Sequence, residues 1–508
     1  MKKFNVLTVM LSAALITLSC TDLEQDLGSD IPEDLAREQA SAREFIDNNY
    51  TDLQSFATQD LIFALQEHSS DAVIGPTRGG DWDDNGVWRV LHLHQWSTEN
   101  PYVLNTFNSL SGGVYNSIQS LEFAEGENRG EALFLQSWFV YHLLDLYGQV
   151  PFRDNLDRLT DVPETLTGED AVNLIISNLE EAIELLPDNN TLSRANKNTA
   201  RTFLAKVLLN KSVYADEDRI PPFSFNTDDL NRIVDLCDQV INSGNYSLES
   251  GINYYDNFAP NNSEVGSELI FVQPNLESQP GGNVASRWLM TLHYNNQPGG
   301  WNGFTTIADF YNKFEDEDVR KGNVDYPGLT EVSGLKAGFL EGQQFDAEGN
   351  ALVDRNGNPL DFIVESPIIS TGNIEETSGV RGMKYIPDFG NTQFPDNDYV
   401  LLRYADVLLT KAEALFRLGQ AGEALVIINN LRETRGASVL GGLTEDDIID
   451  ERGRELWWEG QRRTDLIRFG KFLESWNEKP ASDNFRVLFP IPELAITNNP
   501  NLTQNPGY

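Results

Sequence analysis

Apolar residues recur at three- and four-residue spacing through long stretches of this chain, and several of those stretches are neighbours in sequence. Residues 168–186 (GEDAVNLIISNLEEAIELL) stop at Pro187, residues 198–214 (NTARTFLAKVLLNKSVY) follow, and 228–243 run up to Gly244. The pair at 400–435 is clearest. There Ala412, Leu415, Phe416, Gly419, Glu423 and Ala424 fall near tetratricopeptide positions. Small residues at such positions let paired helices approach closely, and Gly419 permits the tight turn. The expected fold is predominantly all-α: a right-handed superhelix of tetratricopeptide-like helix pairs with long loop-rich insertions and minor β-hairpins.

Two more regions extend the helical pattern. One is FIDNNYTDLQSFATQDLIFALQEHS, in the region that begins near residue 41. The other is 131–147 (EALFLQSWFVYHLLDLY), strongly apolar and stopped by Gly148 and Pro151. Its Phe134, Trp138, Phe139 and Tyr141 read as core. Residues 250–398 differ, being rich in Gly, Asn, Pro and aromatics. Asp346-Ala-Glu-Gly-Asn and Asp354-Arg-Asn-Gly-Asn-Pro read as turns joining short strands. An EF-hand loop needs Gly at its sixth position and Glu at its twelfth. Those positions hold Ala351 and Gly357 in the first loop, and Pro359 and Glu365 in the second, so no metal is assigned to either.

A chain of 508 residues can bury a substantial core. Its 78 acids against 37 bases give a formal charge of −41. Such a surface repels nucleic acid and anionic head groups, so no nucleic-acid partner is expected. Met1-Lys2-Lys3 precedes a mostly apolar stretch, Val6 to Leu18, too short to span a membrane and suited to a signal peptide. It ends at Leu18-Ser19-Cys20, which looks like a lipoprotein cleavage site. The expected organisation is a signal peptide at 1–19, a lipidated Cys20 with an acidic tether over 20–40, and a single domain at 41–508 with its insertion at about 250–398. A secreted protein with an incidental cysteine is the alternative. Cys237 is then the remaining thiol, expected to be a small buried hydrophobe. With no second apolar run of spanning length, the mature protein would be anchored rather than membrane-crossing.

Residues 450–470 carry Glu451 and Arg454, Glu459 and Arg462, and Asp465 and Arg468 at i,i+3 with the acid first. One helix is expected here, its arginine forks fixing neighbouring loops where buried. A catalytic role for Glu455 or Glu459 would need a partner carboxylate across a cleft, and none is indicated. Of the nine tryptophans, Trp138, Trp457 and Trp458 read as packing, and Trp476 is ambiguous. Trp82, Trp88 and Trp96 share a different setting, DAVIGPTRGGDWDDNGVWRVLHLHQW. Trp82 lies among Gly79, Gly80, Asp81, Asp83, Asp84 and Asn85, suited to a surface platform beside hydrogen-bonding groups. A second aromatic patch, RWLMTLHYNNQPGGWNGF, holds Trp288, His293, Tyr294 and Trp301, the last followed by Asn302 and Gly303. An aromatic face beside carboxylates, amides and arginine is what a pyranose needs.

Three stretches carry a resemblance: LRYADVLLTKAEALFRLG at 402–419, ERGRELWWEGQRRTDLIRFG at 451–470, and the C-terminal LFPIPELAITNNPNLTQNPGY. Together they resemble the SusD/RagB family of outer-membrane nutrient-binding lipoproteins. The resemblance implies a binding protein rather than an enzyme, with no cofactor. It implies capture of a neutral oligosaccharide or polysaccharide and delivery to a SusC-like TonB-dependent β-barrel transporter. The acids after Cys20 resemble the family's surface-export signals, which implies a lipid-anchored protein on the exterior of the outer membrane. By likeness to the family's aromatic cradle, Asp71, Arg78, Trp82 and Asn85 would form one part of the site, and Tyr294 and Trp301 the other. Asp81, Asp84, His293 and Asn302 are neighbouring polar candidates. TRGGDWDDNGVWR is similar to members that bind laminarin-type β-glucans. A RagB-like peptide binder, a glycoside hydrolase and a scaffold that binds only proteins are the alternatives. No zinc motif, nucleophile elbow or phosphate loop is present.

Overall fold

The periodic stretches become helices close to their expected bounds. A computed structural model describes residues 42–156, 160–275, 284–365 and 374–508. The expected signal peptide, Cys20 and tether lie outside the described residues. Among the described residues the α-helices of seven residues or more are α1 (Ala42–Thr51), α2 (Leu61–Glu67), α3 (Pro101–Phe123), α4 (Gly126–Tyr147), α5 (Gly168–Leu185), α6 (Lys197–Tyr214), α7 (Thr227–Asn242), α8 (Tyr404–Arg417), α9 (Ala421–Thr434), α10 (Glu445–Glu455) and α11 (Arg462–Arg468). α3 has no counterpart in the sequence reading. Asn100 caps it and Pro101 opens it, both good helix starters. Its Gly112-Gly113 pair masks the periodicity, yet a Cβ on Gly113 would lie 2.4 Å from the Phe139 ring of α4. Glycine there lets the two helices close.

From α3 to α9 each helix packs on the next, and α1 packs on α3. This is the expected helix-pair stack. Phe134, Trp138, Phe139 and Tyr141 lie in the main apolar core, while Leu409, Leu415, Ile428 and Leu431 form a second cluster between α8 and α9. Cys237 of α7 is buried, and burial pushes its thiol pKa up. Among the described residues no helix is long and apolar enough to cross a membrane. Residues 42–508 form one compact unit.

The strands are short: β1 (Gly79–Trp82), β2 (Gln149–Phe152), β3 (Glu164–Thr167), β4 (Leu269–Gln273), β5 (Gly322–Val324), β6 (Ala337–Leu340), β7 (Gly342–Gln343), β8 (Asp361–Phe362), β9 (Arg381–Met383) and β10 (Tyr399–Arg403). Residues 400–403, expected to begin a helix, instead belong to β10, which pairs antiparallel with β4 and closes the insertion at its base. β6 joins β5 to β9, and β7 pairs with β8. Both Asn/Gly-rich loops are turns closed by their leading aspartate. Asp346 Oδ1 accepts from the N–H groups of Glu348 and Asn350, and Asp354 Oδ1 from those of Asn356 and Asn358.

The expected single helix over 450–470 is two helices. Between α10 and α11 the chain turns at 456–461, where Trp458 holds φ 58°. A tryptophan in the left-handed region cannot continue a right-handed helix. The break redirects one of the three expected ion pairs. Glu451–Arg454 and Asp465–Arg468 form at 2.7 Å each. Glu459 turns instead to Arg403 and Lys384, and Arg462 to Asp71.

These charges belong to a buried network. Glu455 Oε1 accepts from Arg403 Nη1 (2.6 Å) and Arg435 Nη2 (2.8 Å), and its Oε2 from Arg320 Nη1 (2.9 Å). Arg403 and Arg435 also share Glu268, and Arg320 also binds Asp318 and Glu451. Glu455, Arg320 and Arg435 have no exposed surface. Residues 268, 318 and 320 belong to the insertion, while 435 and 455 belong to the helical scaffold. The network stitches one to the other and so positions the loops described below.

One buried acid lacks such partners. Glu67 Oε1 accepts from the N–H of Gly460 at 2.6 Å, while Oε2 has no partner among the described residues. Burial, only partly offset by that bond and nearby cations, pushes its pKa up to about 7. A carboxyl whose folded pKa exceeds its unfolded value loses stability as pH rises through that interval. Glu67→Gln keeps the acceptor and removes the titration. The variant is expected to melt increasingly above wild type between pH 5 and pH 8, by an amount reaching ~2–3 kcal/mol. A difference that does not change with pH would contradict this.

Candidate ligand-binding site

Three segments distant in sequence meet around Trp82. Ile74 bridges Thr305, Thr306 bridges Val380, and the N–H of Ile374 donates to Thr77 O. Residues 74–82, 301–306 and 374–381 are thereby held side by side. Trp82 sits 6.3 Å from Trp301, ring centroid to centroid, with the planes tilted by 41°. The Trp82 indole N–H donates to Trp301 O at 2.9 Å. Its ring packs on Phe304 (4.9 Å) and Trp88 (5.9 Å), both buried. Trp82 is therefore half-buried, the lid of a core cluster, while Trp301 is 37% exposed. Gly303 makes the arrangement possible, since a Cβ there would lie 2.4 Å from the Trp82 ring.

The backbone is unusual here. Trp82, Asp84, Asn85 and Asn302 hold φ of 61°, 40°, 55° and 51°. Non-glycine residues in this region cost ~1–3 kcal/mol each and persist where surroundings over-determine them. The indole hydrogen bond and the contacts with Phe304 and Trp88 do so for Trp82.

Next to the tryptophans lies a charged cluster. Arg355, from the Asp354 turn, places its guanidinium 4.2 Å from the Tyr294 ring centroid. Its Nη2 donates to Asp81 Oδ2 at 2.8 Å, and its Nε donates to Glu376. The Tyr294 hydroxyl donates to the same Asp81 oxygen at 3.0 Å. His293 Nε2 meets Glu376 Oε2 at 3.0 Å while its Nδ1 accepts from the N–H of Asn295, so Nε2 carries the proton. The hydrogen bond from Arg355 holds the Asp81 pKa down. Burial would raise that of Glu376, but bonds from His293 and Arg355 hold it below its ordinary value. Burial lowers the His293 pKa despite Glu376.

The ten residues singled out from sequence thus divide. Trp82, Asp81, Tyr294 and Trp301 come together at the surface. Asn85 is exposed beside them, and so is Asp84, whose carboxylate accepts from the Trp88 indole at 2.8 Å. Four others lie beneath the surface. Asp71 is buried in a bidentate pair with Arg462 (2.7 and 2.8 Å) and serves to anchor its segment to α11. Arg78 is buried and donates to the carbonyls of Glu375 (2.8 Å) and Gly303 (3.5 Å), its pKa pushed down to about 9 by burial. Asn302 is buried and accepts from Arg381 Nη2 at 2.9 Å. The His293 ring is fully enclosed. These four are braces, because they are buried and the side-chain bonds they make go to the protein. Trp88, Trp96 and Trp288, grouped by sequence with the two patches, are core residues. Arg355 and Glu376 went unrecognised. The Asp354 turn was legible, but not its landing place, 274 residues from Asp81.

Comparison with known proteins bears on the family and the fold. A family model described as the SusD family matches residues 238–508, and one described as "Starch-binding associating with outer membrane" matches 26–209. The starch-binding protein SusD of Bacteroides thetaiotaomicron is 27% identical over 424 residues, covering 75% of this chain and 72% of that one. SusD-like protein P2 of Formosa agariphila is 24% identical over the whole of both chains. Among solved structures, a SusD superfamily protein from Parabacteroides distasonis superposes with a TM-score of 0.72 at 17% identity, covering 94% of this chain and all of that one. Surface glycan-binding protein A from B. thetaiotaomicron, in complex with laminarihexaose, gives 0.67 at 18% identity, covering 91% and 98%. At these identities the superpositions show a shared fold.

Proposed function

The chain belongs to the SusD family, and on that premise we propose that it is a glycan-binding protein of the outer membrane, holding a neutral oligosaccharide or polysaccharide on the Trp82–Trp301 pair. The tilted pair is the observation that carries the reading. Two neighbouring rings 6.3 Å apart and inclined at 41° can stack against successive pyranoses of one chain. Burying ~100 Å² of apolar surface on one ring contributes ~2.5 kcal/mol. Two rings and a few hydrogen bonds, less the entropy of association, give dissociation constants between roughly micromolar and millimolar. That is adequate for a polymer held at several points. The laminarihexaose complex of a structural neighbour and the starch-binding name of a relative direct the first trials to β- and α-glucans.

Binding rather than hydrolysis fits the charge states. A glycosidase needs one carboxyl kept protonated by a raised pKa. Asp81 and Glu376, the two acids of the charged cluster, are both shifted downward. Affinity electrophoresis against a panel of polysaccharides, with product analysis, tests the reading. Retardation without new reducing ends supports it, and new reducing ends would replace it with an enzyme.

The proposal extends to the cell surface: Cys20 carries a lipid anchor facing the exterior, and the protein delivers its glycan to a TonB-dependent β-barrel of the SusC type. Cys20→Ala is expected to release the protein from the membrane fraction, while wild type co-purifies with a large β-barrel protein in mild detergent. Full membrane retention of the variant would remove the anchor from the account. Repeated recovery of wild type alone would remove the barrel.

A further inference from the structure

The Arg355 guanidinium lies over Tyr294, the ring that sequence reasoning assigned to stacking. That face of Tyr294 is occupied. Resting on the proposed glycan site, we propose that Arg355 is the ligand-facing hydrogen-bond donor there, that Tyr294 is a positioning residue beneath it, and that the cluster selects neutral over acidic sugars.

Three observations carry this. First, Arg355 is both held and open. Its Nε and Nη2 are engaged by Glu376 and Asp81, and its backbone N–H also donates to Glu376 at 3.2 Å. Even so, its side chain is 47% exposed, and Nη1 has no partner among the described residues. A guanidinium is planar, so two held nitrogens set the direction of the third. Donors pre-aimed in this way lose little conformational freedom on binding. Second, Tyr294 is consumed from both ends: its ring supports the cation, and its hydroxyl donates to the same Asp81 oxygen that binds Arg355. Third, two carboxylates contact one guanidinium, so the cluster carries no surplus positive charge. It offers N–H donors without net attraction for an anion. Hydroxyl oxygens fit that description, and a uronate carboxylate would meet Asp81 and Glu376 with repulsion.

Isothermal titration of the full chain with laminarihexaose, maltohexaose and a hexameric uronate tests the assignment, using Arg355→Ala, Arg355→Lys, Tyr294→Ala, Tyr294→Ala/Arg355→Ala and Trp301→Ala, with melting curves for each. Losing one hydrogen bond to a charged group corresponds to ~10–100-fold in affinity. Arg355→Ala is expected to weaken the neutral hexasaccharide by that factor with little change in melting. Arg355→Lys, lacking the fork, should recover little. The double variant should be no weaker than Arg355→Ala, because Tyr294 acts through the arginine. Wild type should not bind the uronate. If Trp301→Ala loses affinity while Arg355→Ala and Arg355→Lys keep that of wild type, the inference falls and the glycan reading stands. Uronate binding as tight as that of the neutral sugar would also overturn it. If wild type binds neither neutral hexasaccharide, the glycan reading itself falls, and the inference with it.

Discussion

Glu455→Ala is expected to cost more stability than any other single change considered for this protein. The side chain has no exposed surface, and its two oxygens serve Arg320, Arg403 and Arg435. Removing it leaves three guanidinium groups buried with a carboxylate missing, and breaking a buried pair from one side costs ~3–5 kcal/mol. That is a large share of the ~5–15 kcal/mol by which folded proteins exceed their unfolded states. Because the network joins the insertion to the helical scaffold, the loops carrying Trp301 and Arg355 should loosen with it. Denaturant midpoints for Glu455→Ala, compared with Glu423→Ala on the exposed face of α9, measure the effect. The surface variant should stay within ~0.5 kcal/mol of wild type. Equal midpoints for the two variants would show that the buried ions do not hold the parts together.

The second large effect is on binding. Trp301→Ala should melt close to wild type and lose ~2.5 kcal/mol of stacking, or roughly fiftyfold in glycan affinity. Trp82→Ala should behave differently. Sequence alone placed both rings outside the core, but the Trp82 ring packs on Phe304 and Trp88 and its N–H is bonded to Trp301 O. A fully buried tryptophan cut to alanine costs ~3–5 kcal/mol, so the half-buried Trp82 should cost less, on the order of 1–3. Trp82→Ala should thus lose both stability and binding, and Trp301→Ala binding alone. Only the second reads the site cleanly. If Trp301→Ala melted far below wild type, Trp301 would join the core residues.

What could be read from sequence follows the range of the interactions. Helices α4 to α9 declared themselves because their signals are local: apolar spacing, Pro187 after α5, Gly244 after α7. The aspartate turns at 346 and 354 were legible for the same reason. The break between α10 and α11 was not, since ERGRELWWEGQRR reads as good helix until Trp458 takes a left-handed φ next to Gly382, where a Cβ would lie 2.7 Å from its ring. At the site, the glycine-flanked tryptophans were visible because a large ring among glycines and acids is poor core material. Burial of Asp71, Arg78, His293 and Asn302 was not visible, because it depends on Arg462, Glu376, Arg381 and carbonyls supplied from far along the chain. Residue type and neighbourhood located the patch. Only the assembled loops separate a ligand contact from a brace.

The central claim, that a neutral glycan rests on the Trp82–Trp301 pair, is tested most directly by affinity electrophoresis of wild type and Trp301→Ala through gels containing laminarin, starch or a polyuronate. Wild type should be retarded by at least one neutral polysaccharide and not by the polyuronate, and Trp301→Ala should migrate through that same gel nearly as in its absence. Unretarded wild type in every neutral gel, or retardation unchanged by Trp301→Ala, would contradict the account.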